Sequence, residues 1–363
     1  MTRVAFLVNG DPESAIGLRA KEFAIRLQND FSVSISFRST HKILSALRFL
    51  WLLMRMKPRV SYVFDMGYSG VLAGIVHKYL SGGSLFVDTG DAIYELARNS
   101  GSRGKVGLLL TRLLESASLR LSDVIVVRGS FHEELLAARH IRCQLVHDGV
   151  DTRMFRPSSS DEIRRKYGLD GVITLGVVGS SVWSEKLQSC YGMELVEVIG
   201  RLRQLDLRGL LVGDGTGIPH LKRRCRKYGI EDRVVFVGRV PYAELPGYIN
   251  AMDICFSTQT NDLAGKVRTT AKLPLYMACG RYVLASKVGE AALVLPDEML
   301  VDYEGCKDED YYDRLAARVE QLIMNPDRLA AGMKNVDAAR ATFEYSKLAE
   351  KVAEVIRTGC GNS

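Results

Sequence analysis

Three cations, Lys266, Arg268 and Lys272, fall within seven residues of the segment NDLAGKVRTTAKLPLYMACG (261–280), beside Gly265, Thr269 and Thr270. The apolar run that follows, 273–278, reads as a buried helix. A helix dipole opposes cations at its N-terminus. Gathering them there makes sense if an anion sits among them, held by side chains and free N–H groups together. The plainer alternative is a solvated basic face; the burial of the following helix favours the anion site. Four further segments have the residue types to join it. GVVGSSVWSEK (176–186) ends a strand at Gly179 and Ser180, whose N–H groups suit a phosphate, and Lys186 follows on the loop. VGDGTG (212–217) places Gly213 and Gly215 at a tight strand-to-helix turn. It lacks GxGxxG spacing, so turn geometry alone explains it equally well. Arg239 and Val240 follow a strand ending at Gly238, and Glu290 follows the strand YVLAS (282–286).

These segments need a scaffold that delivers them to one place. At 363 residues the chain suits two domains, taking about 150 residues for each. Short apolar runs alternate with helical segments throughout. In the first half they are strands at 4–8, 33–37, 60–64, 84–88 and 124–127, with helices at 15–29, 42–56, 70–80 and 106–122. Strands apolar along their whole length, separated by helices, belong to parallel sheets covered on both faces. The segment 148–169, with its proline and serines, reads as a linker, and a second series starts at 172. Helices at 311–323, 326–342 and 346–358 close the chain. The expected fold is α/β, two Rossmann-like doubly wound domains side by side, with the ligand crevice at the strand C-termini.

The net charge is +7, distributed as +6 over residues 1–60, +6 over the middle and −5 over 297–363. Such a front attracts polyanions or an anionic membrane. No zinc pattern or RNA-binding aromatic motif accompanies it, so no nucleic-acid partner is expected. Seven dispersed cysteines without a CxxC pair read as free thiols in a reducing cytoplasm. No stretch has the roughly 20 apolar residues that a membrane span needs.

The second half resembles the donor-binding domain of GT-B-fold glycosyltransferases of the group 1 (family 4) type. HDGVDTRMFRP (147–157) is similar to the family's domain crossover. LLVGDGTGIPHLK, RVVFVGRVPYAELPGYINAMDICFS and KLPLYMACGRYVLAS follow in the family's order, and FEYSKLAEKVAEVI (343–356) resembles the terminal helix that crosses back over the cleft. The resemblance implies an acceptor-side domain, 1–157, completed by 343–363, and a donor-binding domain, 158–342. It implies transfer of a hexose from a UDP- or GDP-linked nucleotide sugar, with retention, and no obligatory cofactor or metal. Electrostatic stabilisation of the departing diphosphate would be the main contribution. Lys186 then falls near a basic position against the diphosphate. Lys266, Arg268 and Lys272 lie where donor sugar and phosphates are touched, and Arg239-Val240 where the base is contacted. The chain departs from the pattern in three places. The paired glutamates, eight apart, are Val267 and Leu275; the His-Asp pair after the fourth strand is Gly90-Asp91; and the basic residue after the first glycine of the second domain is Ser180.

The first domain should hold the acceptor, a glycan, a lipid-linked molecule or a small molecule. Asn9, Gly10, Gly17 and Arg19 lie at its first loop, and Asp88 and Asp91 follow its fourth strand. Asp91 is the best candidate for a catalytic-side polar group, although acids at a helix N-terminus need no such role. The helix at 42–56 has two readings: an ordinary packed crossover, which the family pattern favours, or a membrane-docking face. His132, His140 and His147 lack metal spacing and read as surface or supporting residues. The expected setting is the cytoplasm, free or at the inner membrane face, in cell-surface glycan or glycoconjugate synthesis. A non-catalytic partner subunit of the same fold and a nucleotide-sugar epimerase are the rival functions.

Overall fold

The computed structural model describes residues 1–101 and 103–359; Cys360 lies outside them. The first half runs β1 (Thr2–Val8), α1 (Ala15–Leu27), β2 (Phe31–Phe37), α2 (Lys42–Met56), β3 (Val60–Phe64), α3 (Tyr68–Ser81), β4 (Ser84–Thr89), α4 (Ile93–Ser100), α5 (Lys105–Leu121), β5 (Val124–Val127), α6 (Ser130–Ala137) and β6 (Cys143–Leu145). The second runs α7 (Asp161–Tyr167), β7 (Ile173–Val178), α8 (Met193–Arg201), β8 (Leu207–Val212), α9 (Ile218–Tyr228), β9 (Val234–Gly238), α10 (Leu245–Asn250), β10 (Ile254–Ser257), α11 (Leu263–Val267), α12 (Lys272–Ala278), β11 (Tyr282–Ser286), α13 (Ala291–Val294), β12 (Leu300–Val301), α14 (Tyr311–Met324), α15 (Asn335–Thr342) and α16 (Tyr345–Gly359).

Each half builds one six-stranded sheet, ordered β2-β1-β3-β4-β5-β6 and β12-β11-β10-β7-β8-β9. All the strand pairs are parallel. This is the doubly wound arrangement that the alternation predicts. In the first half, Phe23 of α1 and Leu348 and Val352 of α16 pack with Phe6 and Phe64 on one sheet face. Phe49 and Leu53 of α2, Val71 of α3, Leu114 of α5 and Leu136 of α6 pack with Leu7, Val63 and Val87 on the other. The final helix therefore returns to the first sheet. Its buried Leu348, Val352, Val355 and Ile356 pin it there, at about 1.5–3 kcal/mol for each large aliphatic side chain.

The segment 148–169 is not a free linker. Val150, Phe155 and Leu169 are buried in the core of the second half, and α7 occupies part of the segment. Val150 N donates to Phe343 O (2.8 Å), and Tyr345 N donates to Val150 O (3.1 Å). The two crossings between the halves thus lie side by side. The span 326–342, expected as one helix, is a 3-10 helix (Pro326–Lys334) followed by α15. Gly332 lies so close to the Arg281–Tyr282 backbone that a Cβ there would come within 2.6 Å of it. The α2 crossover buries only Ser45, Phe49 and Leu53. No described helix is long and apolar enough to cross a membrane.

Candidate functional site

The strand C-termini of both sheets face one cleft. On its second-half side, Arg268 and Lys272 converge on the ring of Tyr191. The Lys272 ammonium lies 3.5 Å from the ring centroid and the Arg268 guanidinium 5.6 Å. Tyr191 is held by Gln259, whose side-chain amide donates to its hydroxyl at 3.0 Å. Lys272 is 7% exposed, and its Nζ has no hydrogen-bond partner. Burial pushes its pKa down to about 8; Glu194 opposes this shift and Arg268 adds to it. Glu194 is itself buried, with Oε2 accepting from Gly192 N (3.0 Å) and Oε1 unpartnered. Burial raises its pKa, against the pull of Lys272. A buried ammonium and a nearby carboxylate oxygen, both without a hydrogen-bond partner, make an unfinished polar site. The three cations do not form one cluster. Lys266 ends α11 and reaches Phe131 of the first half, 5.9 Å from its ring centroid.

The glycine segments pack against each other. Gly213 has φ +141°, and a Cβ there would lie 1.9 Å from Gly179 O. Gly215 approaches the Ser181 backbone in the same way. The two glycines are thus required by loop packing, and they leave Gly179 and Ser180 exposed at the cleft. Lys186 is drawn across to the first half, where its Nζ donates to Asn99 Oδ1 (3.4 Å). Asn99 Nδ2 in turn donates to Asp262 Oδ2 (2.6 Å), the carboxylate that caps α11. Arg239 also crosses, donating to Glu13 O at 3.1 Å, while Val240 packs half-buried on the second core.

On the first-half side, most candidates are already committed within the fold. Asn9 donates to Asp65 O (2.7 Å) and accepts from Gly70 N (3.1 Å), which ties β1 to the turn before α3. Gly10 and Gly17 shape the first loop, and a Cβ at Gly17 would meet Asp11 O at 2.2 Å. Asp88 is fully buried between two arginines. Arg128 Nε donates to Oδ1 (2.7 Å), and Arg19 Nε (3.1 Å) and the Tyr62 hydroxyl (3.2 Å) donate to Oδ2. Burial pushes its pKa up, and the two guanidiniums more than offset this, leaving it below the ordinary carboxylate value. Arg19 also donates to the carbonyls of Val146 and His147. Asn9, Arg19 and Asp88 are therefore buried and hydrogen-bonded within the first half. Asp91 is different: its carboxylate is 3.5 Å from Arg268 Nε, across the cleft. Gly90 leaves no room for a larger residue, since a Cβ would come within 2.9 Å of the Arg128 side chain. His132 and His147 are buried rather than exposed. Desolvation, with Arg139 and Arg128 nearby, lowers His132 to about 4.

Two further bridges close the cleft. Thr269 Oγ1 donates to Asp148 Oδ2 (2.7 Å). Glu290 turns toward the first half, where its carboxylate accepts from Ser130 N (2.8 Å) and Ser130 Oγ (3.2 Å), with His147 Nδ1 3.4 Å away. Tyr191, Glu194, Asn99 and Asp262 carry no sequence motif and join the site only through folding. Asp148, which is not among the candidate residues, lies inside the crossover segment HDGVDTRMFRP (147–157). The assembled chemistry is a cationic, partly desolvated recess facing an acid across a cleft, suited to an anionic ligand with a polar partner opposite.

Residues 173–325 match the model of the family described as Glycosyl transferases group 1. The whole fold is similar to sucrose-phosphate synthase from Thermosynechococcus elongatus, with a TM-score of 0.81 at 17% identity, covering 100% of both chains. The chain thus has a GT-B fold, and most of its second half is similar to the group 1 glycosyl transferases. The chain is 30% identical over 223 residues to D-inositol 3-phosphate glycosyltransferase 2 of Catenulispora acidiphila, covering 59% of this chain and 50% of that protein. It is 28% identical over 215 residues to the GDP-mannose-dependent alpha-(1-6)-phosphatidylinositol monomannoside mannosyltransferase of Mycobacterium tuberculosis, covering 58% of this chain and 54% of that one. The chain thus spans about half the length of these curated relatives.

Proposed function

We propose that this chain is a glycosyltransferase that moves a hexose from a UDP- or GDP-linked nucleotide sugar to an acceptor hydroxyl, with retention, in glycan or glycoconjugate synthesis at the cytoplasmic side of the cell. The observation that carries the reading is Lys272: a buried ammonium without a hydrogen-bond partner, in the segment similar to the group 1 transferases, next to Arg268 and above Tyr191. A diphosphate supplies the missing partner. Charge that develops on the leaving diphosphate meets donors already in place, which lowers the barrier without reorganisation. Lys186, Gly179 and Ser180 line the same recess, and Arg239-Val240 contacts the base. Asp91, opposite Arg268, faces the acceptor hydroxyl. The relatives named for inositol phosphate and phosphatidylinositol mannoside acceptors support a polyhydroxyl acceptor.

The test is a nucleotide-sugar panel read by thermal shift. A bound donor raises stability by RT ln(1 + [L]/Kd), so the matching UDP- or GDP-sugar raises Tm and Lys272→Ala removes the shift. No shift with any nucleoside diphosphate or its sugar refutes the reading. A second reading, a non-catalytic partner subunit, is favoured by Val267 and Leu275, which are buried apolar side chains where the resemblance puts two glutamates. Turnover by the purified chain with donor and acceptor excludes it. An epimerised donor formed without acceptor would instead support epimerase activity.

A further inference from the structure

The helices α2, α3 and α5 all cover the same face of the first sheet, the face lined by Leu7, Val63 and Val87. Their inner stripes are buried, so their outer sides form one continuous layer. That layer is unusually apolar. Thirteen of the twenty exposed large apolar side chains among the described residues lie on these three helices, which make up about an eighth of the chain. On α2, Ile43 is 79% exposed and Trp51 is 57% exposed, with Leu44 and Leu47 between them. Leu72, Tyr79 and Leu80 continue the layer on α3, and Val106, Leu109 and Leu113 on α5. A monomeric protein rarely shows so much contiguous apolar surface without a partner for it.

Charge identifies that partner. The three helices carry seven Lys or Arg, of which Lys78 pairs with Asp123 just past α5, and a single acid, Glu115, whose carboxylate accepts from Tyr94 N. Lys42, Arg48 and Arg55 lie on α2 itself, and Arg55 sits over the Trp51 ring at 5.3 Å. At the N-terminal ends of α2 and α3, Arg38, Lys42 and Arg103 surround a cavity of about 110 Å³. An apolar layer ringed by cations complements acyl chains beneath anionic headgroups.

We infer that the outer layer of α2, α3 and α5 seats this protein on an anionic membrane surface, with the apolar side chains entering the headgroup boundary and the cations meeting lipid phosphates. Residues 42–56 rise about 22 Å at 1.5 Å per residue, a length that lies along the interface. In parallel crossovers the helix N-termini lie at the strand C-terminal edge. Ile43, Leu44 and Val106 are therefore on the cleft side of the layer. If the transferase reading holds, the acceptor is then drawn from the bilayer; the membrane seat itself does not depend on that reading.

The test is co-sedimentation of the full chain with vesicles of equal parts phosphatidylglycerol and phosphatidylcholine, against vesicles of phosphatidylcholine alone. Binding to the anionic vesicles is expected at about 0.1 M salt, with a loss of at least tenfold near 0.5 M as the charges are screened. A blue shift of Trp51 fluorescence should accompany it, with Trp183→Phe used to isolate the signal. Leu47→Asp with Trp51→Asp, and separately Arg48→Glu with Arg55→Glu, should each weaken binding at least tenfold at unchanged Tm. Ile25→Asp, on the opposite layer, should leave it unaltered. Equal binding to both vesicles, no binding, or equal loss with Ile25→Asp overturns the inference. So does a concentration-dependent dimer that Leu47→Asp with Trp51→Asp dissolves in the absence of lipid binding, because the occupant is then a second copy.

Discussion

Lys272 is held against its own preference. Its pKa falls from the ordinary 10.5 to about 8 because burial removes water from the ammonium. The difference corresponds to about 3 kcal/mol at neutral pH. The sign follows from proton counts. Below about pH 8 both folded and unfolded chains carry the proton, and the folded state bears the full desolvation cost. Between about 8 and 10.5 the unfolded chain binds more protons, so stability rises with pH across that window. Two outcomes follow. Lys272→Met should raise the Tm of the ligand-free protein by about 2–4 °C, read by calorimetry, while lowering turnover by about 10²-fold. In the wild type, affinity for a nucleoside diphosphate measured by calorimetry should fall as pH rises from 7 to 9, since the ammonium is the form that binds. A Tm that drops on Lys272→Met would mean that the ammonium is a structural partner of Glu194.

The elements were legible where apolar periodicity is long. β3, β5, β11 and α2 fall on their expected bounds, because runs such as VSYVF and VIVV have buried side chains on both faces. The short elements β6, α7, α11, α13 and β12 escaped. Two to seven residues carry too little periodicity to read, and their conformation is set by the sheet edge or helix they meet. Of the candidate residues, Arg268, Lys272 and Asp91 come together at the cleft. Spacing alone groups Lys266 with them, and α11, which packs against the first half, turns it toward Phe131. Asp88, read as an acceptor-side candidate, is instead what joins α1, β4 and β5, through Arg19 and Arg128. Its carboxyl is held below the ordinary value, so its contribution is fully present above about pH 4 and is lost as pH falls through the depressed pKa. Asp88→Leu strands two buried guanidiniums and should destabilise the protein by about 3–5 kcal/mol in urea unfolding. Asp88→Asn should cost less, since its side-chain oxygen still accepts.

At the scale of the molecule, two rigid sheets are joined by paired crossings, and several cross-cleft contacts hold them closed. Val150 bonds to Phe343 and Tyr345, and Thr152 N donates to Glu344 Oε2 (3.0 Å), so the two crossings are tied together at the natural position for a hinge. Elsewhere along the cleft the halves meet through small polar bridges: Thr269 with Asp148, beside the crossing, Glu290 with Ser130, Arg268 with Asp91, and Asn99 with Asp262 and Lys186. Contacts of this kind, each worth about 0.5–1.5 kcal/mol net, suit a cleft that opens for exchange, whereas the cores on either side do not separate. Asn99 touches neither Lys272 nor Arg268 but does hold Lys186, so its replacement tests the bridge together with the Lys186 tether. Asn99→Ala removes the bond to the α11 cap and the tether of Lys186 together. The open form should gain population, read as a larger radius of gyration by small-angle scattering. Donor KM should rise several-fold, because binding must then supply the closure that the bridges supplied. The Tm should move little, since both cores are untouched. An unchanged scattering profile with an unchanged KM would show that the bridges are incidental, and that closure is set at the Val150–Tyr345 hinge alone.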